Sequence, residues 1–295
     1  MKSLFSLKLS IVLSLMIFLA SCEDEPPTTY SQVKYLEGFL ITDKPVQGIL
    51  LMNSQPVNQK FDREKAMIKD ADVKLSVNGT SHTLIYRDGD NPGYYHPDES
   101  FLIEPETKYE IIINTIDGSL VTAETITPKR INGWVKEPKP IISYPSDTLK
   151  LPHVDSLDIE WDKVPDVSFY LIKILAKDTS DYGRYLEPPT NELNRRTYNF
   201  MSNIEETGIF YKNPSSWNLI ANNKTPTVWL AFRWFGLHEV EVYNPDPNML
   251  NWFINIFFTA SSENNELLNS VNGGLGVFGS ASIVKKEVFL LKNQP

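Results

Sequence analysis

Apolar residues recur at every second position along most of this chain, and turn-forming residues interrupt them at intervals of roughly 8 to 12, a pattern that predicts antiparallel strands. Val33 to Ile41 and Val46 to Met52 are the first two predicted strands. Asn53 to Asp70 is polar and reads as a loop with a short helix near Arg63 to Ile68. Val73, Leu75 and Val77 then alternate with Asp72, Lys74 and Ser76. Asn78-Gly79 follows with the two positive-φ residues that a tight hairpin needs before His82 to Arg87 returns. Tyr109, Ile111 and Ile113 repeat the alternation up to Asp117-Gly118, read as a second two-residue turn, and Ser119 to Thr127 runs back.

Pro128, Pro138, Pro140 and Pro145 punctuate the next stretch, which cannot sustain a central strand and reads as an interdomain connection over 128–145. Beyond it Leu157, Ile159 and Trp161 face one way and Asp158 and Glu160 the other, and Tyr170, Ile172 and Ile174 form the next strand. Val228 to Phe235 reads as an aromatic-rich strand and Ile283 to Leu291 as the last one. Period two fails twice. Asn248 to Phe258 places Met249, Leu250, Phe253, Ile254, Phe257 and Phe258 at helical spacing, which predicts a short helix. Asp178 to Asn223 follows neither period, and its length suggests a functional insert between strands.

The spelling Trp161-x-x-Val164-x-x-Val167-x-x-Tyr170-x-Ile172 resembles two adjacent strands of bacterial fibronectin type III domains. The expected fold is therefore mostly all-β: two immunoglobulin- or fibronectin III-like antiparallel β-sandwich domains, over 33–127 and 146–295, the second carrying the insert and the helix.

Ahead of the strands lies one unbroken apolar run, Leu9 to Ala20, with Lys2 and Lys8 before it and Leu19-Ala20-Ser21-Cys22 at its end. A basic start, an apolar centre and small residues before a cysteine make the pattern of an exported lipoprotein. Residues 1–21 read as a signal peptide and Cys22 as the lipidated first residue of the mature chain. The run is too short to cross a bilayer, which takes about 20 apolar residues. Acyl chains, at about 0.8 kcal/mol per buried methylene, anchor the protein instead. Residues 22–32, with Glu23-Asp24-Glu25-Pro26-Pro27, read as an acidic, proline-stiffened tether.

Removing the signal leaves 274 of 295 residues, room for two domains, and takes Lys2 and Lys8 away, moving the formal net charge from −9 to −11. That balance disfavours nucleic acid and anionic lipid surfaces as partners. Cys22 is the sole cysteine, which excludes an intrachain disulfide, a thiolate metal site and a cysteine nucleophile.

Candidate chemistry is sparse. Gly273-Gly274-Leu275-Gly276-Val277-Phe278-Gly279 is glycine-rich like a phosphate loop, but no lysine-serine pair follows and a strand comes next, so close backbone packing explains it better. Asp88, Asp90 and Asn91 before Gly93 have calcium-loop spacing without the remaining ligands. His82, His96, His153 and His238 stand singly, outside any metal-ligand spacing. Glu205-Glu206 and the pair Glu239 and Glu241 lack a motif that would divide acid and base roles, and no nucleophile elbow appears. No catalytic residue, metal site or cofactor is expected. The aromatic residues of the second half offer either core or contact surface. Trp229 and Trp234, five apart on a predicted strand, face opposite sides, so one ring needs a second surface; Trp229, Trp234, Tyr243 and Trp252 are the candidate binding residues.

The glycine run, Cys22 with its acidic tail, the Glu37-Gly38 strand, Ala71-Asp72-Val73, Pro105 to Ile113 and the Trp161 to Ile172 core together resemble the domain of unknown function 4249 family of Bacteroidota lipoproteins. The acidic triplet likewise resembles the cue that sends such lipoproteins to the outer face of the outer membrane; a solvated linker and inner-membrane retention are the competing readings. The resemblance implies no activity. It implies an outer-membrane lipoprotein, often encoded beside a TonB-dependent receptor. The expected function is a lipid-anchored, surface-exposed accessory protein, not an enzyme, that binds a small ligand or such a receptor in nutrient uptake. The alternatives are a surface hydrolase with a site assembled from separated carboxylates, and a structural or adhesive surface protein.

Overall fold

The computed structural model describes residues 30–56, 58–144, 154–177, 215–232, 234–258 and 269–291. Cys22, the tether up to residue 29, Glu205-Glu206, His153 and the 178–214 part of the expected insert lie outside them. The first half contributes β1 (Lys34–Ile41), β2 (Leu50–Asn53), the one-turn helix α1 (Arg63–Ala66), β3 (Asp72–Val77), β4 (Thr80–Arg87), β5 (Gly93–Tyr95), β6 (Lys108–Asn114) and β7 (Leu120–Ile126). Then come β8 (Trp134–Lys136), β9 (Ile141–Ser143), β10 (Ile159–Trp161), β11 (Phe169–Ala176), β12 (Ser215–Ala221) and β13 (Lys224–Thr225). The chain ends with β14 (Gly236–Pro245), helix α2 (Pro247–Phe258), β15 (Val271–Asn272) and β16 (Leu275–Leu291).

The fold is mostly β, and β16 is its axis. Seventeen residues at about 3.3 Å each make a strand roughly 55 Å long. It lies in a seven-stranded sheet of order β12-β11-β14-β16-β1-β2, with β9 beside its C-terminal end. β1 and β9 run parallel to β16, and the other neighbours are antiparallel.

Alternation along β16 builds two cores from one face. Phe278, with Leu36 and Leu40 of β1 and Leu51 of β2, packs on Val73, Leu75, Tyr109, Ile111, Ile113 and Val121 of the six-stranded sheet β15-β7-β6-β3-β4-β5. Ten residues further on, Val288 and Leu290 join Tyr170, Ile172, Ile174, Val240 and Val242 against Ile159, Trp161 and Phe232, beneath the three-stranded sheet β13-β10-β8. Trp161 is fully buried, and its ring meets that of Tyr170 edge-on at 5.2 Å. On the opposite face Ala281 and Ile283, with Ile41, Leu171 and Tyr243, carry Met249 and Phe253 of α2. The two lobes thus sit side by side on a shared sheet.

Several expectations change. The 128–145 stretch separates the two cores but is no free linker, because β8 is an edge strand and β9 lies along β16. Proline tolerates this: Pro140 lacks an N–H but its carbonyl accepts from Phe289 N at 2.7 Å. The lobes also exchange strands across that stretch, since β1 and β2 belong to the sheet of β16, while Val271 and Phe278 fill the first core. Asn78 (φ 50°) and Gly79 (φ 77°) form the expected two-residue turn. Asp117-Gly118 does not: Thr115 N donates to Ser119 O and Gly118 N to Thr115 O, which closes a three-residue loop.

Val228 to Phe235 is not a strand either. Ala231 N and Phe232 N donate to Val228 O and Trp229 O, winding Trp229–Ala231 into a 3-10 turn. The strand that follows, β14, is buried at nearly every position, so both faces are covered and its sequence loses the alternation that marks a half-exposed strand. Ser215–Ala221, inside the expected insert, is β12 and pairs over its own whole length with β11. Of Val46 to Met52 only the end becomes β2.

Candidate functional site

Where the lobes meet, polar side chains replace apolar ones on the shared sheet. Asp246, the residue before α2, is buried; its Oδ1 accepts from Met249 N (2.8 Å) and Ser280 N (2.9 Å), and its Oδ2 from Thr125 Oγ1 (2.7 Å). Burial raises its carboxyl above the ordinary aspartate value, and these donors pull the other way. Ser282 Oγ accepts from Ile131 N at 2.9 Å, and Asn244 Nδ2 donates to Lys129 O at 3.0 Å. The 127–132 segment is thereby stitched onto β14 and β16.

Its outer side forms one wall of a cleft of about 280 Å³. Glu106 enters from the first lobe, Lys129, Arg130 and Asn132 from the stitched segment, and Asp162 and Lys163 from the second lobe. Arg130 Nε and Nη2 donate to the two carboxylate oxygens of Asp43, each at 2.7 Å, and this bidentate bond holds the Asp43 carboxyl below its ordinary value. Lys129 and Lys163 form no ion pair with any described residue. The cleft therefore offers two free ammonium groups, an amide and two carboxylates, a set that suits a small polar ligand carrying an oxyanion and hydroxyls.

The walls are rigid. Of the five described non-glycine residues with positive φ, Asn78 occupies a hairpin turn and Asn222 (φ 72°) the turn between β12 and β13, whereas Glu106 (φ 51°) lines the cleft, Asp43 (φ 60°) holds its Arg130 and Asp166 (φ 66°) follows its Pro165. Such conformations cost of order 1 kcal/mol and persist only where neighbours enforce them. Here Glu106 N donates to Thr127 O at 2.9 Å, Asp43 N to Ile103 O at 2.8 Å and Asp162 N to Gly133 O at 3.0 Å. Val164 N donates to Tyr170 OH at 3.0 Å, which ties the far wall to the second core. A second opening, among Ile142, Ile172, Phe232 and Val288, has only about 30 Å³ and is apolar, room for a water or two rather than a ligand.

The residues picked out from the sequence lie elsewhere. Trp229 and Trp234 are buried in the second lobe, Trp229 edge-on to Tyr144 at 5.6 Å. Because Trp229 is on a 3-10 turn, the argument that the two rings face opposite sides of a strand lapses. Tyr243 lies on the opposite face of the shared sheet, its ring 5.0 Å from Trp217 and its hydroxyl donating to Glu241 at 2.5 Å; burial drives its phenol far above the ordinary value. Trp252 packs edge-on to Phe39 at 5.1 Å. The four aromatic residues split between two faces and form no common surface.

The buried carboxylates of Glu239 and Glu241 pair with the exposed Lys285 (2.9 Å) and the half-buried Lys173 (3.0 Å). Burial, the largest single influence, favours the neutral form of Glu239, but Lys285, Glu241 and Lys177 together outweigh it and the carboxyl sits below its ordinary value. Asp88 is paired with Lys69 at 2.9 Å, and no group of three His, Cys, Asp or Glu side chains fit for a metal occurs among the described residues. The glycine run is a packing device. A Cβ on Gly276 (φ 120°) would lie 2.0 Å from Leu36 O, and one on Gly273 (φ 77°) 2.0 Å from Leu120 O. The cleft escaped the sequence reading because Lys129, Arg130 and Asn132 fell in a supposed linker. Only the placement of Lys129-Arg130 among prolines hinted at a fixed, charged segment.

Fold and cleft together define a two-lobed, mostly-β protein built on one long shared strand. The chain belongs to the family described as domain of unknown function (DUF4249), whose model matches residues 24–246. The match ends at Asp246, so the glycine run at 273–279 that carried much of the resemblance lies beyond it. A comparison with curated proteins returns no match.

Proposed function

We propose that this protein is a lipid-anchored accessory protein of the outer membrane, displayed on the cell exterior, that holds a small polar ligand in the interlobe cleft beside a TonB-dependent receptor and performs no chemistry on it. The observation that carries this reading is the solvent-open cleft at the junction of two lobes, with Lys129 and Lys163 in no ion pair with any described residue. Preorganised walls lower the ordering cost of binding, which suits capture.

The anchor fits the geometry. The tether leads directly into β1, the parallel neighbour of β16, so it meets the body at the N-terminal end of the axis strand. Asn244 and Ser282, which hold the cleft segment, are seven residues along β16 from that end, about 23 Å at 3.3 Å per residue. A tether of about ten residues adds an r.m.s. reach of roughly 16 to 19 Å. Confinement to that height raises the effective concentration of a neighbouring receptor enough for a weak interface to operate. Isolation of the lipidated protein from its own membranes in mild detergent tests the partnership. A TonB-dependent receptor co-isolating in fixed ratio is the expected result, and its absence contradicts this part of the proposal.

A further inference from the structure

We propose that the end of the first lobe where β1 begins is a bilayer-docking surface, a ring of apolar side chains that seats the anchored body on neutral lipid. The inference rests on the lipid anchor of the proposed function and is independent of what the cleft holds. Tyr30, Phe61, Ile116, Leu120 and Leu275 are exposed, and Ile116, at 78%, is the most exposed large apolar side chain among the described residues. Single apolar residues scattered over a surface are ordinary, whereas a group gathered at one end marks a contact surface.

Bonds around the start of β1 gather these side chains from four stretches of chain. Tyr30 OH meets Ser54 Oγ at 2.7 Å and Ser54 N donates to Val33 O at 2.8 Å, which sets the loop after β2 beside the start of β1. That loop carries Phe61, and the Gln55 side chain closes it by bonding the backbone N and O of Asp62 at 2.8 and 2.7 Å. Lys34 Nζ lies 2.6 Å from Asp117 Oδ2, which brings in the β6–β7 loop with Ile116 and Leu120. Leu275 is the register partner of Tyr35, and a Cβ on Gly273, just before it, would lie 2.0 Å from Leu120 O.

The occupant follows from where the chain leads. Cys22 stands twelve residues before Lys34, at most about 43 Å of fully extended chain, so acyl chains on Cys22 keep this end of the body beside the bilayer. The chemistry of the ring suits the lipid interface. Lys34 pairs with Asp117 and Lys65 with Asp62 at 3.1 Å, which neutralises charge next to the apolar side chains. Lys60, adjacent to Phe61, has a stem long enough to lie on lipid with its ammonium among the headgroups, and Tyr30 offers a ring with a polar tip. An apolar seat of this kind needs no anionic lipid, in keeping with the acidic chain.

The test uses the mature chain acylated at Cys22 and reconstituted into phosphatidylcholine vesicles. Cys22 is the sole cysteine and its sulfur carries lipid, so Ile116→Cys and Ile126→Cys each add one thiol for a polarity-sensitive fluorophore. Both positions are exposed, and Ile126 lies six residues along β7 from Leu120, about 20 Å further from the ring, which makes it the control. The expected result is a blue-shifted label at 116 that loses most of its emission to brominated phosphatidylcholine, while the label at 126 behaves as in water. Hydrogen exchange of the unsubstituted protein gives a readout free of any label: relative to Cys22→Ala in solution, exchange should slow over 114–121 and 273–276. The mass of the N-terminal peptide separates the two readings. An acylated chain whose label at 116 stays in water, or whose two labels are quenched alike, overturns the docking surface alone; a chain without acylation overturns the anchor and the docking surface with it.

Discussion

Asp246 and Thr125, 121 residues apart in the chain, meet through a buried 2.7 Å hydrogen bond at the junction of the two lobes. The same carboxylate caps α2 through Met249 N and holds Ser280 of β16, so one side chain joins helix, axis strand and first lobe. Asp246→Ala leaves three buried donors without their acceptor and should cost about 3 kcal/mol. Asp246→Asn keeps an acceptor for the two backbone donors and should cost about 1 kcal/mol. Chemical denaturation monitored by tryptophan fluorescence reads both, and equal costs would contradict the assignment of Asp246 as a multiple acceptor.

Close packing, rather than backbone freedom alone, explains Gly276. At Gly118 (φ 84°) an added Cβ meets nothing within 4 Å, whereas at Gly276 it meets Leu36 O at 2.0 Å. Gly118→Ala should therefore cost only the roughly 1 kcal/mol of an unfavourable φ. Gly276→Ala adds about 1 to 3 kcal/mol of overpacking, because β1 and β16 must part. Equal shifts in melting temperature would show that the contact with β1 is not maintained in solution.

Two aspartates should push the pH dependence of stability in opposite directions. Lys34 Nζ, 2.6 Å from Asp117, holds that carboxyl well below the ordinary range, with Thr115 and Ser119 assisting. Its contribution is present above the ordinary aspartate range and is lost as pH falls through the depressed folded value. Burial raises Asp246, so its contribution is complete at low pH and is lost as pH rises through the elevated folded value. In melting curves from pH 3 to 7, Asp117→Asn should flatten the acid side, and Asp246→Asn should cost less at pH 7 than at pH 3. The reverse order for either variant would refute the sign.

The lipid anchor proposed at Cys22 would be separable from folding, because the described body begins at Tyr30 and its first strand at Lys34. Cys22→Ala should release a folded, soluble protein with an unchanged melting temperature. Replacing Glu23, Asp24 and Glu25 by alanine should keep the anchor but protect the protein from protease added to intact cells. Unsubstituted protein that resists external protease would exclude surface display.

The β character of the chain was legible because half-exposed strands such as β3 and β6 show the two faces of a sheet as alternation. The sharing of β16 was not, since nothing in Leu275 to Leu291 records that its neighbours are Lys34–Ile41 on one side and Gly236–Pro245 on the other. Long-range pairing of this kind depends on shape rather than on local propensity. The cleft was hidden for the same reason: Glu106, Lys129 and Lys163 are ordinary surface residues until the shared sheet brings their three loops together. Aromatic residues misled in the opposite sense, because burial consumes Trp229, Trp234 and Tyr243.

Capture of a small polar ligand by Lys129 and Lys163 is the central claim, and native mass spectrometry of the protein extracted from its own membranes tests it most directly. Both lysines are exposed, so Lys129→Glu and Lys163→Glu should leave stability within about 0.5 kcal/mol of the unsubstituted chain. The account predicts a single bound species of defined mass on the unsubstituted protein that is lost in the doubly substituted one. An unsubstituted protein without any adduct, or an adduct retained after both charges are reversed, would contradict it.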